Sequence, residues 1–242
     1  MRKVIPLITD NIYHVMARGN NHQNIFHVEA DYFRLIKDLY EFNDEDTTSG
    51  VERVLLWRKP TVTGSDPVTV GKKRIKKKRK LLVEILVFCF MPNHFHLLLR
   101  QLKNGGISEY MKRVKGGYAT YLNCKHGSKG SIFQSHIKAV EIKSDDQLNT
   151  VFSYIHTNPC QLVEPNWKTA GLRNEKKALE ILDSYRWSSY LDYTGKKNFP
   201  SLTNRELFME LYGGAKGCAN AVRGWIKHKS DSYEDFKQMI LE

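Results

Sequence analysis

At the start of the chain, the pattern of hydrophobic and polar positions indicates individual secondary-structure elements. Residues 11–17 are rich in strand-forming side chains and are followed by Arg18-Gly19-Asn20-Asn21, which is typical of a turn. Within residues 31–42 the apolar side chains recur at the spacing of one helix face. The pattern therefore predicts a strand, a turn and an amphipathic helix.

The pattern stops near residue 43 and resumes near residue 81. Glycines and prolines interrupt this segment, and eight basic residues crowd its end, Lys72, Lys73, Arg74, Lys76, Lys77, Lys78, Arg79 and Lys80. We interpret residues 43–81 as a basic, flexible insertion.

The rest of the chain returns to regular patterns. Residues 81–90 and 94–100 are two apolar runs separated by a tight turn, which predicts paired antiparallel strands. Residues 107–122 have helical spacing, residues 131–143 alternate like a strand, and residues 145–157 form a helix that a proline ends. Two or three short helices follow. This order predicts an α+β fold, with one antiparallel sheet covered by helices.

Composition narrows the classes of partner and compartment. The net charge is +12, and removing the eight basic residues above leaves +4, so the positive charge is concentrated in one segment. A segment with this much positive charge favours binding to a polyanion, and nucleic acid is a better candidate than an anionic membrane. The chain lacks the run of about 20 apolar residues that spans a bilayer. The apolar stretch near its start, residues 4–8, is too short for the apolar region of a signal peptide. We expect a cytoplasmic protein with no membrane partner.

Two histidines in one of the predicted strands are the first candidates for chemistry. Residues i and i+2 of a strand point to the same face, so His94 and His96 project together while Phe95 points away. Two imidazoles that converge can bind a divalent ion. The alternative interpretation, two hydrogen-bonded core histidines, is equally compatible with the sequence.

A tyrosine on the following helix is the second candidate. Tyr154 and Asn158 are four residues apart and share a helix face. Tyr154 could act as a nucleophile and Asn158 could supply a neutral oxygen to a metal ion. A buried structural tyrosine and a helix-terminal asparagine are the simpler alternatives for both residues.

Several segments together resemble a known family. The run Pro92-Asn93-His94-Phe95-His96 looks like the HUH motif (histidine, bulky apolar residue, histidine) of single-tyrosine transposases of the IS200-like group. The run Tyr154-Ile155-His156-Thr157-Asn158-Pro159 is similar to the tyrosine motif of their REP-associated branch, named after repetitive extragenic palindromes. Further segments agree in the same order, at residues 13–20, 132–134 and 187–195.

The resemblance implies a fold, a metal and a reaction. The sheet would be ferredoxin-like, in a transposase domain of residues 1–195 followed by a small helical C-terminal extension of residues 196–242. His94, His96 and Asn158 would bind Mg²⁺ or Mn²⁺, and Tyr154 would be the catalytic tyrosine. The substrate would be single-stranded DNA next to a hairpin, cut through a covalent 5′-phosphotyrosine intermediate. A homodimer is possible, but the sequence does not decide between a monomer and a dimer.

The same reasoning selects residues that could hold DNA. The basic block of residues 72–80 is interpreted as an electrostatic arm, with a merely solubilising loop as the alternative. Outside it, the candidates for contacts with phosphates or bases are Arg18, Lys112, Arg113, Lys115, Tyr118 and Gln134. Ser135-His136 stands where the family often has Gly-Arg, so one arginine that contacts DNA in relatives is absent here.

Two other functions fit the same residues. A non-catalytic protein derived from a transposase would bind hairpin DNA without needing a nucleophile. A metal-dependent nuclease would use water, and Tyr154 would then be structural. An HUH-type enzyme that nicks and transfers strands through Tyr154 is the function that uses all four candidate site residues.

Overall fold

A four-stranded antiparallel sheet is the centre of the molecule. The structure is a computed structural model that describes residues 7–46, 79–135 and 137–228. Its strands are β1 (Ile12–Arg18), β2 (Val83–Met91), β3 (His94–Gln101) and β4 (Lys138–Glu141). They lie in the order β2-β3-β1-β4, which places β3 and β1 in the middle.

Three long helices connect and cover these strands. They are α1 (Glu29–Glu41) after β1, α2 (Gly106–His126) after β3 and α3 (Asp145–Thr157) after β4. A β-α-β-β-α-β order with this arrangement of strands is ferredoxin-like, and it confirms the predicted α+β fold class. A 3-10 helix follows α3 directly at Asn158–Leu162. The remaining helices are short or C-terminal, namely α4 (Trp167–Ala170), α5 (Glu175–Ser184), α6 (Tyr190–Tyr193), α7 (Glu206–Leu211) and α8 (Ala215–His228).

The two faces of the sheet carry different side chains because strand residues alternate between faces. On one face Val15 and Ala17 of β1 and Phe95 and Leu97 of β3 join the core formed with α1 and α2. The other face packs against α3, where a second core contains Leu98 together with Val151 and Ile155. Helix α8 completes this second core, since Val222 belongs to it.

Two elements differ in length from the sequence prediction. Helix α2 runs on to His126, where Gly127 ends it with a φ of 62°, a conformation that glycine adopts without strain. Strand β4 covers only Lys138–Glu141 of the predicted residues 131–143. Among the described residues β4 pairs with β1, and the regular register ends at Met16 and Lys138, beyond which an isolated bridge joins Gly19 to Phe133.

The basic segment is described only at its edges. Residues 47–78, including Lys72, Lys73, Arg74, Lys76, Lys77 and Lys78, lie outside the described residues. The Arg79 guanidinium lies 4.1 Å from the Tyr40 ring centroid, donates to the Asn43 carbonyl at 3.1 Å and pairs with Asp44 at 3.7 Å. Arg79 is therefore attached to the end of α1 and is not part of a free arm, which corrects its predicted role. Lys80 is exposed and pairs with Asp46 at 3.9 Å.

The C-terminal helices share the core of the sheet domain. Within the described residues, no helix is both long enough and apolar enough to cross a bilayer. Helix α8 packs on α3, so the described part of residues 196–242 stabilises the face that carries α3. The proposed boundary at residue 195 stays a prediction.

Candidate active site

Two histidine rings lie side by side at the start of β3. His94 and His96 both face α3, and their ring centroids are 4.9 Å apart. Phe95, between them in sequence, points into the opposite core and packs edge-on against Phe90 and Phe133. Strand alternation thus places both imidazoles on one face, as the sequence pattern predicted.

In each ring, one nitrogen has a hydrogen-bond partner and the other has none among the described residues. His94 Nδ1 lies 2.6 Å from Asn93 Oδ1, and His96 Nδ1 lies 2.9 Å from Nε2 of His14. Nε2 of His94 and Nε2 of His96 are buried and have no hydrogen-bond partner among the described residues. An unsatisfied buried polar atom costs about 1–3 kcal/mol. A ligand bound by both Nε2 atoms would remove that cost twice.

The surroundings keep both rings neutral. Burial lowers the pKa of His94 to about 3, and the positive charges of Arg18 and Lys168 act in the same direction. Burial also lowers the pKa of His96 well below its ordinary value, and the neighbouring His94 and His14 add to this effect. A neutral imidazole has a lone pair available for a metal ion.

A third histidine, His14, completes the group and was missed in the sequence. In the pairing of β1 with β3, Met16 is opposite His96 and His14 is opposite Leu98, so His14 is diagonal to His96. The rings of His14 and His96 stack with centroids 5.1 Å apart. With Asn93 beside His94, His14 fixes the orientation of the ring that it contacts. Only the strand register, which one histidine in an apolar strand does not reveal, could have identified it.

Tyr154 of α3 lies against this histidine group. Its ring centroid is 5.7 Å from that of His96 and 5.9 Å from that of His14. The side chain is fully buried. One chain therefore brings the tyrosine and the histidine pair together without a partner subunit.

A buried lysine from α4 reaches the same tyrosine. Nζ of Lys168 lies 3.2 Å from Oη of Tyr154, 3.0 Å from Oδ1 of Asn158 and 4.4 Å from the centroid of the Tyr154 ring. The side chain is only 4% exposed. Sequence reasoning missed Lys168 because α4 has four residues and shows no periodic pattern.

Asn158 hydrogen-bonds to its own helix and to Lys168. Its amide Nδ2 donates to the Tyr154 carbonyl at 3.0 Å, which satisfies the end of α3. Its Oδ1, predicted as the third metal ligand, accepts a hydrogen bond from Lys168. In the described part of the chain, no three His, Cys, Asp or Glu side chains are grouped so that they could hold a metal ion. Nε2 of His94 and Nε2 of His96 are the buried atoms of this site that lack a hydrogen-bond partner among the described residues.

Comparison with known proteins bears on the region that contains this site. Residues 54–158 match the family described as "Transposase IS200 like". This part of the chain is therefore similar to the IS200-like transposases. The matched residues include β2, β3, α2, β4 and α3, and with them His94, His96, Tyr154 and Asn158. The resemblance seen in the sequence is thereby confirmed at the level of the family.

One solved structure adds a distant likeness. The chain is similar to a REP-associated tyrosine transposase that was solved bound to a REP hairpin. The two share 13% sequence identity, with a TM-score of 0.43, over 86% of this chain and 93% of that one. No curated protein matches this chain.

Four predicted DNA contacts, Arg18, Lys112, Lys115 and Gln134, lie near the end of β1 or on α2 and stay predictions. Arg18 is paired with His94 in the strand register, and its charge lowers the pKa of His94. The backbone amide of Gln134 donates to the Arg18 carbonyl at 2.9 Å, and Lys115 donates to the Gln134 carbonyl at 2.8 Å. These two hydrogen bonds connect the end of β1, the segment before β4 and α2. Lys112 is exposed on α2.

Two other predicted contacts have structural roles instead. Tyr118 is fully buried, and its hydroxyl donates to the Ile25 carbonyl at 2.7 Å, so it cannot stack on a base. Arg113 pairs with Glu109 at 2.7 Å and donates to the Asp44 carbonyl at 2.7 Å. Its guanidinium fastens α2 to the residues that follow α1. The prediction was wrong for Tyr118 because an amphipathic helix buries its tyrosines when a backbone carbonyl is within reach.

Proposed function

We propose that this chain is a metal-dependent single-stranded DNA endonuclease and strand transferase of the HUH type, with Tyr154 as its nucleophile. The observation that carries the proposal is the position of Tyr154 next to two buried histidine nitrogens that lack a hydrogen-bond partner among the described residues. Neither core packing nor helix capping requires both nitrogens to be left open. A shared ligand explains them.

The residues present fit a divalent cation. Two neutral imidazoles, each with its second nitrogen held by Asn93 or His14, form the kind of pair that binds a metal ion in proteins. The resemblance to HUH transposases suggests Mg²⁺ or Mn²⁺. When bound, the ion would neutralise charge on the phosphate oxygens and hold the phosphate in place. We assign the ion to His94 and His96, and Asn158, whose Oδ1 accepts a hydrogen bond from Lys168, is the proposed third ligand.

Tyr154 supplies the covalent chemistry. Its phenol oxygen attacks the phosphorus of a phosphodiester, the new bond forms as the bond to the 3′ oxygen breaks, the phenol loses its proton and the 3′ oxygen gains one. The product is a 5′-phosphotyrosine and a free 3′-hydroxyl. Because one phosphoester bond replaces another, a 3′-hydroxyl can attack the phosphotyrosine in turn and join strands without ATP.

Positive side chains near the site would hold the DNA. Arg18, Lys112 and Lys115 are candidates for phosphate contacts, which position a nucleic acid without reading its sequence. Gln134 is linked to Arg18 by a backbone hydrogen bond and would lie beside the same stretch of DNA. The basic residues from Lys72 to Lys78 remain candidates for additional contacts. Recognition of a hairpin follows from the resemblance to the REP-associated branch.

A second function has one observation in its favour. Tyr154 is fully buried, which suits a non-catalytic hairpin-binding protein derived from a transposase. Such a protein would not need a site from which Tyr154 could reach DNA. The open histidine nitrogens favour the catalytic function, because a protein that only binds DNA has no use for them.

The test is a search for the covalent intermediate. Labelled single-stranded hairpin DNA is incubated with the protein and Mn²⁺ and then separated on a denaturing gel. We expect a protein–DNA adduct with the wild type and none with Tyr154→Phe. Tyr118→Phe is the matched control, because it removes a buried tyrosine hydroxyl from the opposite face of the sheet.

Each other result selects a different function. Cleavage that persists in Tyr154→Phe would assign the reaction to water and make Tyr154 structural. Tight hairpin binding without any cleavage by the wild type would favour the non-catalytic binder. An adduct formed equally by Tyr154→Phe would show that another residue is the nucleophile.

A further inference from the structure

Lys168 places a positive charge inside the proposed active site. Its ammonium group contacts both the oxygen and the ring face of Tyr154, and it also contacts Asn158. The charge of Lys168 contributes to the lowered pKa values of His94 and His96, so it acts on the whole histidine group.

A lysine in this position is costly for the fold. Removing an ammonium group from water carries a penalty of several kcal/mol, and lysine is almost never fully buried unless it is paired. The charge also opposes a metal ion on the neighbouring histidines, because the two cations repel each other. A compensating gain is expected from a group that becomes negatively charged nearby.

Tyr154 is the group that becomes negative. Its oxygen carries negative charge when it attacks phosphorus and again when it leaves during rejoining. A hydrogen bond from an ammonium group is stronger to a charged oxygen than to a neutral one. Donors already aimed at an oxygen that develops charge give the largest electrostatic contribution to catalysis.

We propose that Lys168 is a further catalytic residue, whose ammonium group holds the Tyr154 oxygen and stabilises its negative charge in both cleavage and rejoining. Asn158 then fixes the ammonium group through its Oδ1. This inference rests on the proposed function. Lys168 keeps its protons throughout, while negative charge passes from the tyrosine oxygen to the departing 3′ oxygen and back.

The burial of Lys168 separates this role from ordinary phosphate binding. A lysine that binds DNA phosphates presents its ammonium group to solvent, as the exposed Lys112 does. Lys168 instead directs its ammonium group at two buried side chains of its own chain. The position of its charge is set before any DNA arrives.

The experiment compares full-length variants that differ at this charge. Lys168→Met removes the charge with little change in length, and Lys168→Arg keeps it. Lys177→Met is the matched control, since Lys177 is exposed on the neighbouring helix α5. For each protein we would measure the rates of adduct formation and of rejoining on labelled hairpin DNA with Mn²⁺. Hairpin affinity, Mn²⁺ affinity without DNA and the unfolding temperature complete the set.

The expected result has a distinct pattern. Lys168→Met should slow adduct formation and rejoining by the same factor, roughly a hundred-fold, as for loss of one preorganised donor. The cleaved fraction at equilibrium and the hairpin affinity should not change, and Mn²⁺ should bind at least as tightly because a like charge is gone. Lys168→Arg should recover part of the rate, and Lys177→Met should match the wild type. Asn158→Ala, which removes the acceptor that fixes the ammonium group, should also slow the reaction.

Several results would overturn the inference. Wild-type rates in Lys168→Met would show that the charge has no catalytic role. Rates that fall only in parallel with hairpin affinity would make Lys168 a phosphate contact, and faster rates would make it a restraint on Tyr154.

Two further results have defined readings. If Lys168→Met does not fold, Lys168→Gln, which keeps a donor without the charge, must show the same loss of rate. If the wild type forms no adduct, the proposed function itself fails and this inference fails with it. A wild-type adduct with an unaffected Lys168 variant would reject this inference alone.

Discussion

The two faces of the sheet differ in the hydrogen bonding of their buried polar groups. On the face covered by α1 and α2, Asp31 is fully buried and accepts hydrogen bonds from Lys125, Tyr121 and two backbone amides. On the face covered by α3, Nε2 of His94 and Nε2 of His96 are buried without such a bond in the described part of the chain.

The contrast separates folding from function along single strands. Alternate residues of β3 serve different faces, so Phe95 and Leu97 build the core while His94 and His96 form the candidate site. β1 repeats the division, with Val15 in the core and His14 against His96. Substitutions one residue apart should therefore have opposite effects on stability and on activity.

The largest effect is expected from His94→Leu. This change removes one of the two nitrogens assigned to the metal ion, so the covalent adduct should be lost in the denaturing-gel assay. The free energy of unfolding without metal should stay the same or rise by up to about 1 kcal/mol, because an unsatisfied buried nitrogen disappears. A variant that kept full adduct formation would exclude His94 as a ligand.

The neighbouring change, Phe95→Ala, should affect stability first. Phe95 is fully buried between Phe90 and Phe133, and its truncation leaves a cavity. We expect a loss of about 3–5 kcal/mol in the free energy of unfolding, measured by urea denaturation. Adduct formed per folded molecule should fall much less than in His94→Leu. Equal losses of activity in both variants would contradict the division between the faces.

The smallest effect concerns the satisfied charge of Asp31. Burial alone would raise the pKa of Asp31, but hydrogen bonds from Lys125, His27, Tyr121 and Val28 outweigh it, and the pKa lies below its ordinary value of 3.8. The carboxylate therefore stabilises the fold above that pH, and its contribution is lost as the pH falls through the lower folded value.

The corresponding variant is Asp31→Asn. It should cost about 1–3 kcal/mol of unfolding free energy at pH 7, the value for hydrogen bonds to a charged group. In urea denaturation, the difference from the wild type should shrink as the pH is lowered below 3.8. A difference that is independent of pH would show that the carboxylate charge does not contribute. Adduct formation at pH 7 should be unchanged.

Much of the fold could be predicted from the sequence because local patterns decide it. The helix that carries Tyr154 ends where Pro159 follows, and the adjacent apolar runs around residues 92–93 pair as β2 and β3. The extent of β4 could not be predicted, since it depends on how many of its residues pair in regular register with β1.

The site was predictable only where sequence spacing controls geometry. His94 and His96 share a face through strand alternation alone. His14 and Lys168 reach the site through strand register and through a short helix, and neither is visible as a periodic pattern. Tyr118 looked available for DNA because its helix carries basic residues, but the Ile25 carbonyl holds its hydroxyl in the core.

The enclosed position of Tyr154 has a kinetic consequence. Its side chain has no exposed surface, so a phosphodiester as bulky as a DNA backbone cannot touch the phenol in the arrangement described. Turnover would then proceed through a sparsely populated open form, and the observed rate would be the intrinsic chemical rate multiplied by the fraction of open molecules. A closed resting state would limit accidental nicking of DNA by the proposed enzyme.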